Sequence, residues 1–154
     1  MRPILYIDGQ AGTTALRIRD WLQGRDDLDL VVLAEELRKD PAARQRALRE
    51  ATIALLCLPD DAAKEAASWL ADSQVRILDA STAHRVTEGW VYGLPELVAG
   101  QRERIAQAKR VANPGCYSSA VILLVRPLVD AGLIAPDAAF LSMRSRVTRG
   151  EAGH

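Results

Sequence analysis

Long apolar runs are missing from this chain. The strongest stretches, residues 53–58 and 120–125, fall far short of the ~20 residues that a bilayer-spanning helix needs. Net charge is missing too: 20 Lys and Arg are matched by 20 Asp and Glu, which removes the electrostatic drive toward nucleic acid or an anionic membrane surface. Cysteine is scarce, at 2 residues. Cys57 lies inside an apolar run and Cys116 follows a turn, surroundings different enough to argue against a structural disulfide, and both read as thiols. The opening MRPILYIDG has no basic n-region, no long apolar h-region and no small-residue cleavage site, so the expected location is cytoplasmic. No internal repeat, low-complexity segment or flexible linker interrupts the 154 residues. That length suits one domain burying roughly two thirds of its unfolded surface. With 49% hydrophobic and 26% charged residues, the composition is that of a soluble globular protein. No residues are assigned to a metal.

What is present is an alternation of short apolar runs with helical patterns, the mark of parallel β-α units. Residues 4–7 read as a strand, 9–14 as a loop, and 15–23 as a helix burying Ile18, Trp21 and Leu22, with Gly24 as its stop. A second strand is expected over 28–34, a helix over 41–50 started by Asp40, and a third strand over 52–58 ended by Pro59. Asp60 is expected to cap a helix whose Ala62, Ala63, Ala66, Ala67 and Leu70 form a small-residue face for packing on a sheet. Residues 75–78 form a fourth strand. The rhythm then changes: residues 81–95 mix polar, aromatic and turn-forming types without a period and read as functional loops. Helical patterning returns at Gln101, a short strand covers 110–112, and an apolar helix follows Cys116 through Val121, Leu124, Val125, Leu128 and Val129, kinked by Pro127. The fold class is α/β, a Rossmann-like doubly wound parallel sheet.

Two loops carry chemistry. Between the first strand and first helix, Gly9 and Gly12 stand where a dinucleotide pyrophosphate would meet backbone N–H groups and the helix dipole. The pattern is G-x-x-G rather than G-x-G-x-x-G, and a glycine turn that only joins two elements is the other reading. After the second strand, Glu35 and Glu36 suit a free ribose hydroxyl while Arg38 and Lys39 suit a 2′-phosphate, so NAD and NADP both stay open at this point. In the second loop, Cys116 follows Asn113-Pro114-Gly115 and opens a helix, a position that favours a thiolate nucleophile. A small buried residue at a turn is the alternative there. Cys57 reads as core.

Five motifs stand in register: DGQAGTTAL at 8–16, CLPDDAA at 57–63, DASTAHR at 79–85, YGLPEL at 92–97 and NPGCY at 113–117. Together they resemble the short-chain branch of the N-acetyl-γ-glutamyl-phosphate reductases, over nearly the whole chain. The resemblance implies NADPH-dependent reduction of N-acetyl-γ-glutamyl phosphate to N-acetylglutamate semialdehyde, in arginine biosynthesis. Cys116 would be the nucleophile, forming a thioester that then accepts hydride. By the same resemblance Gly9, Gly12, Thr13 and Thr14 surround the phosphates of NADP(H). Cys57, Leu58 and Pro59 lie beside a ribose, and Ser81 borders the nicotinamide. Thr82, Arg85 and Asn113 face the substrate, where a guanidinium suits its phosphate. His84 does not match the family's acid-base histidine and is not assigned. Members of the family are homo-oligomers.

The resemblance stops after about Phe140. Residues 1–140 are expected to form the NAD(P)-binding domain, and 141–154 a non-family tail in place of nearly all of the family's second, α+β substrate domain. Residues 140–154 can be encoded by bases that, with one T restored after the codon for Phe140, read FSVNAVSGYSGGGRP, as the family continues. A frame-shifted tail is therefore expected, with a chain that folds and binds nucleotide weakly but does not turn over. A stand-alone NADP(H)-binding module and a related semialdehyde dehydrogenase are the competing readings.

Overall fold

A computed structural model describes residues 2–9 and 12–138. The expected non-family tail, residues 141–154, lies outside them. The chain runs β1 (Ile4–Asp8), α1 (Thr13–Leu22), β2 (Asp29–Val31), α2 (Pro41–Glu50), β3 (Ile53–Leu56), α3 (Asp60–Ser68), β4 (Arg76–Asp79), β5 (Val91–Tyr92), α4 (Gln101–Gln107), β6 (Arg110–Ala112) and α5 (Cys116–Asp130). All neighbouring strands pair in parallel, in the order β2-β1-β3-β4-β6-β5. The chain leaves β1 toward β2 and then crosses back to place β3 on the other side of β1. That reversal is a topological switch point, and it opens a crevice at the carboxyl ends of β1 and β3.

Side-chain alternation along the strands divides the core. Tyr6, Ala54, Leu56 and Ile77 face α2 and α3, where Leu48, Ala63, Ala66 and Leu70 complete one buried cluster. Leu5, Ile7 and Leu55 face the other way and pack with Ala15, Ile18 and Leu22 of α1. The alanine face of α3 is buried as expected, and Asp40 caps α2 by accepting the N–H groups of Ala42 at 2.8 Å and Ala43 at 3.2 Å.

Four sequence expectations are corrected. Trp21 is 71% exposed with Arg17 over its ring, because Ala15, Ile18 and Leu22 already define the inward stripe and Trp21 falls on its flank. Asp60 does not cap α3, whose N-cap is Pro59; its carboxylate instead accepts the backbone N–H and hydroxyl of Thr82. The second strand shrinks to three residues that pair only with β1. Inside the 81–95 loop, Val91 and Tyr92 form β5, the edge strand beside β6. The apolar helix α5 forms with Pro127 in its last turn, yet none of its residues is buried and Leu124 is 70% exposed.

Candidate active site

The crevice at the ends of β1 and β3 is built from backbone packed too closely for side chains. Gly9 has φ +87°, and a Cβ there would stand 2.3 Å from the carbonyl oxygen of Cys57. The N–H of Cys57 in turn donates to the Asp8 carbonyl at 2.8 Å, locking the loop after β3 to the end of β1. Gly12 donates its N–H to the Gly9 carbonyl at 3.1 Å and stands at the N-cap of α1, so Thr13 and Thr14 form the first helical turn. N–H groups at that turn have no intrahelical acceptor and suit an anion. A cavity of about 400 Å³ is lined by Gly9, Gly12, Glu35, Arg38, Lys39, Cys57, Leu58 and Pro59. Five of the residues expected at the cofactor therefore share one cavity, with the mixed-charge loop after β2 in its wall.

Asp8 anchors this loop from beneath. Its side chain is 2% exposed and forms a paired contact with Arg44 of α2, Nε to Oδ1 at 3.0 Å and Nη2 to Oδ2 at 2.9 Å. Oδ1 also accepts the Gly9 N–H at 3.1 Å. The Arg44 guanidinium lies 5.1 Å from the Trp69 ring centre. Hydrogen bonding to Asp8 pushes the Arg44 guanidinium up, and burial followed by the Asp8 charge pushes the Tyr6 phenol well above its ordinary range. Sequence reading missed Arg44. Its only signal was an aspartate at the end of an apolar strand, which needs a buried partner.

Cys57 is half-buried. Burial first, then the charges of Asp79 and Asp8, push its thiol up to about 11, so it is held as a neutral thiol.

The cysteine loop lies at the carboxyl end of β6. Cys116 is exposed and is the first residue of α5, with Gly115 as N-cap. The Gly115 carbonyl accepts the hydroxyls of Ser118 and Ser119, at 3.0 and 2.8 Å, and the Ser119 N–H at 2.9 Å. Arg85 donates its Nε to the Asn113 carbonyl at 3.2 Å. A Cβ on Gly115 would fall 2.6 Å from Nη1 of Arg85, so the guanidinium lies against the residue before the cysteine. Arg85, Asn113 and Cys116 are thus brought together. Thr82 is exposed and tied to Asp60 at the start of α3. Ser81 is buried with its hydroxyl donated to Asp79 at 2.7 Å, and it does not line the cavity.

A family model described as "Semialdehyde dehydrogenase, NAD binding domain" matches residues 13–108. Over 135 residues the chain is 58% identical to N-acetyl-gamma-glutamyl-phosphate reductase 2 of Pseudomonas putida, covering 88% of this chain and 43% of the relative. It is 56% identical over 133 residues to N-acetyl-gamma-glutamyl-phosphate reductase of a Chelativorans species, covering 86% and 43%. The chain thus spans less than half the length of these curated relatives. Among solved structures, aspartate semialdehyde dehydrogenase II of Vibrio cholerae complexed with ASA superposes with a TM-score of 0.64 at 17% identity, over 85% of this chain and 47% of that one. The aspartate semialdehyde dehydrogenase of Francisella tularensis gives 0.62 at 17% identity, over 86% and 42%. These structures share the fold.

Proposed function

Because this chain belongs to the semialdehyde dehydrogenase family through its NAD-binding domain, we propose that it is the nucleotide-binding and nucleophile-bearing part of an N-acetyl-γ-glutamyl-phosphate reductase that uses NADPH. The observation that carries the reading is the placement of exposed Cys116 at a helix start whose N-cap, Gly115, lies against the Arg85 guanidinium, in a chain more than half identical to relatives of that name.

The Cys116 thiolate attacks the acyl carbon of the substrate. The carbon–oxygen bond to phosphate breaks, the electron pair leaves with inorganic phosphate, and the acyl group stays on sulfur as a thioester. Arg85 is suited to receive the departing dianion, because a guanidinium presents several donors to phosphate oxygens. Asn113, whose carbonyl accepts Nε of Arg85, and Thr82, in the loop after β4, are proposed as further substrate contacts. Gly9, Gly12, Thr13, Thr14, Cys57, Leu58, Pro59 and Ser81 are proposed for the dinucleotide, which when bound supplies the hydride that converts the acyl group to an aldehyde. Arg38 and Lys39 in the cavity wall favour a 2′-phosphate, which makes NADP(H) the preferred form.

The proposal includes the frame-shifted tail. The 154-residue chain is expected to bind NADPH more tightly than NADH in calorimetry, to lose that preference in Arg38→Ser, and to show no turnover. DNA sequenced past codon 140 is expected to open, with one added base, into FSVNAVSGYSGGGRP. The product of that restored frame should oxidise N-acetylglutamate semialdehyde with NADP⁺ and phosphate in preference to aspartate semialdehyde. Turnover by the 154-residue chain, or preference for aspartate semialdehyde in the restored product, would overturn the corresponding part.

A further inference from the structure

Asp79 ends β4 with no exposed surface and ties together the two loops that carry Arg85 and Cys116. Its carbonyl accepts the Asn113 N–H at 2.7 Å. Its carboxylate accepts the Ser81 N–H at 2.9 Å on Oδ1, and on Oδ2 the Ser81 hydroxyl at 2.7 Å and Nδ1 of His84 at 2.6 Å. A carboxylate only accepts, so Nδ1 carries the proton. The buried imidazole also stacks on Trp90, with ring centres 3.9 Å apart and planes 10° from parallel. The next residue along the chain is Arg85, whose Nε reaches the Asn113 carbonyl and whose Nη1 lies against Gly115.

We propose that His84 is a positioning residue: by donating to Asp79 and stacking on Trp90 it fixes the backbone from which Arg85 extends, and so aims the guanidinium at the cysteine loop. The inference rests on the reading of Arg85 as the partner of the substrate phosphate. A side chain as long as arginine loses much rotamer freedom when it is held, and a fixed starting point reduces the number of conformations that miss the target. Asp79 sets the frame from both sides, since it binds His84 through its carboxylate and the cysteine loop through its carbonyl.

The test compares alkylation of Cys116 by iodoacetate and iodoacetamide in the 154-residue chain, resolved by peptide mass spectrometry. Both reagents meet the same thiolate, so its fraction cancels and the ratio of rates reports positive charge near sulfur. A guanidinium held close by should raise that ratio roughly fivefold over Arg85→Gln. His84→Phe and His84→Leu, which cannot donate to Asp79, should drop most of the way to the Arg85→Gln value. His84→Asn, which keeps a donor but loses the ring that stacks on Trp90, should fall between the wild-type and Arg85→Gln ratios. A purely structural histidine would lower the melting temperature and leave the ratio alone. An unchanged ratio in Arg85→Gln overturns the reading of Arg85 itself. A fall in Arg85→Gln with a wild-type ratio in whichever of the two donor-less variants folds overturns the positioning role alone.

Discussion

Treating the chain with a neutral alkylating agent should separate its two cysteines by a margin that can be worked out for Cys57. With its thiol pushed up to about 11, roughly one molecule in 4,000 carries a Cys57 thiolate at pH 7.4. A free cysteine with a pKa of about 8.5 is ionised in roughly one molecule in 14, an advantage of about 300-fold. The more basic thiolate is the better nucleophile, and a Brønsted slope of about 0.45 returns about 13-fold. The net expectation is that Cys57 reacts about 20-fold more slowly than an exposed peptide cysteine of pKa about 8.5, and its half-buried position slows it further. Exposed Cys116 should be modified first. Peptide mapping after timed quenching gives both rates. Because the thiolate is the reacting form, the Cys57 rate should climb about tenfold per pH unit and level off only near 11. Adding NADPH should protect Cys57, since it lines the cavity. A Cys57 rate equal to that of the free thiol, or a plateau below pH 9, would refute the argument that burial and two neighbouring carboxylates hold it neutral.

Gly9→Ala combines a left-handed backbone with a Cβ 2.3 Å from a carbonyl oxygen, so urea unfolding should show a loss above the ~1–2 kcal/mol of the conformational cost alone. Calorimetry should show weaker nucleotide binding in the same variant. Arg44→Met leaves the buried Asp8 carboxylate without its cation and should destabilise by about 3–5 kcal/mol, with part of the loss recovered on adding Asp8→Asn. The side-chain and backbone hydrogen bonds from Thr82 hold the Asp60 carboxyl below the usual carboxylate range. A depressed folded pKa contributes stability that is present above the unfolded value of about 3.9 and is lost as pH falls through the folded one. An NMR titration should therefore find the Asp60 midpoint low in the wild type and raised in Thr82→Val.

The parallel sheet was legible because its strands announce themselves: β1, β3 and β4 are apolar runs punctuated by Asp8, Pro59 and Asp79, and α2 carries its own start signal in Asp40 and Pro41. Periodicity failed where it had too little to work on. β5 has only Val91 and Tyr92, and its identity comes from pairing with β6. Trp21 and α5 show a different limit, since helical spacing identifies an apolar face without saying what covers it. The cavity at the ends of β1 and β3 was legible in outline through Gly9, Gly12 and the 57–59 segment. The long-range contacts that shape the site were not: Asp8 meets Arg44 across 36 residues of chain and Asp60 meets Thr82 across 22.

Two buried aspartates connect these observations. Asp8 and Asp79 end β1 and β4 with almost no exposed surface, and a carboxylate so placed is tolerated only with its oxygens satisfied. Asp79 is satisfied by the loop it leads into, through Ser81 and His84, and Asp8 by the Gly9 N–H of its own loop together with Arg44 of α2. Folding the loops correctly is thus a condition for burying the charges, which ties the crevice beside Gly9 and the Arg85 loop to the stability of the sheet. The same two charges act with burial to raise the Cys57 thiol. A sheet-end architecture that orders both loops therefore also quiets Cys57 in the wall of the cavity, in keeping with the proposal that the nucleophile is Cys116. Replacing Asp79 by Asn should loosen the Arg85 loop and, by removing one of the two charges, lower the Cys57 midpoint, so that its alkylation becomes faster at neutral pH; a Cys57 rate that stays the same or falls would separate the two roles assigned to Asp79.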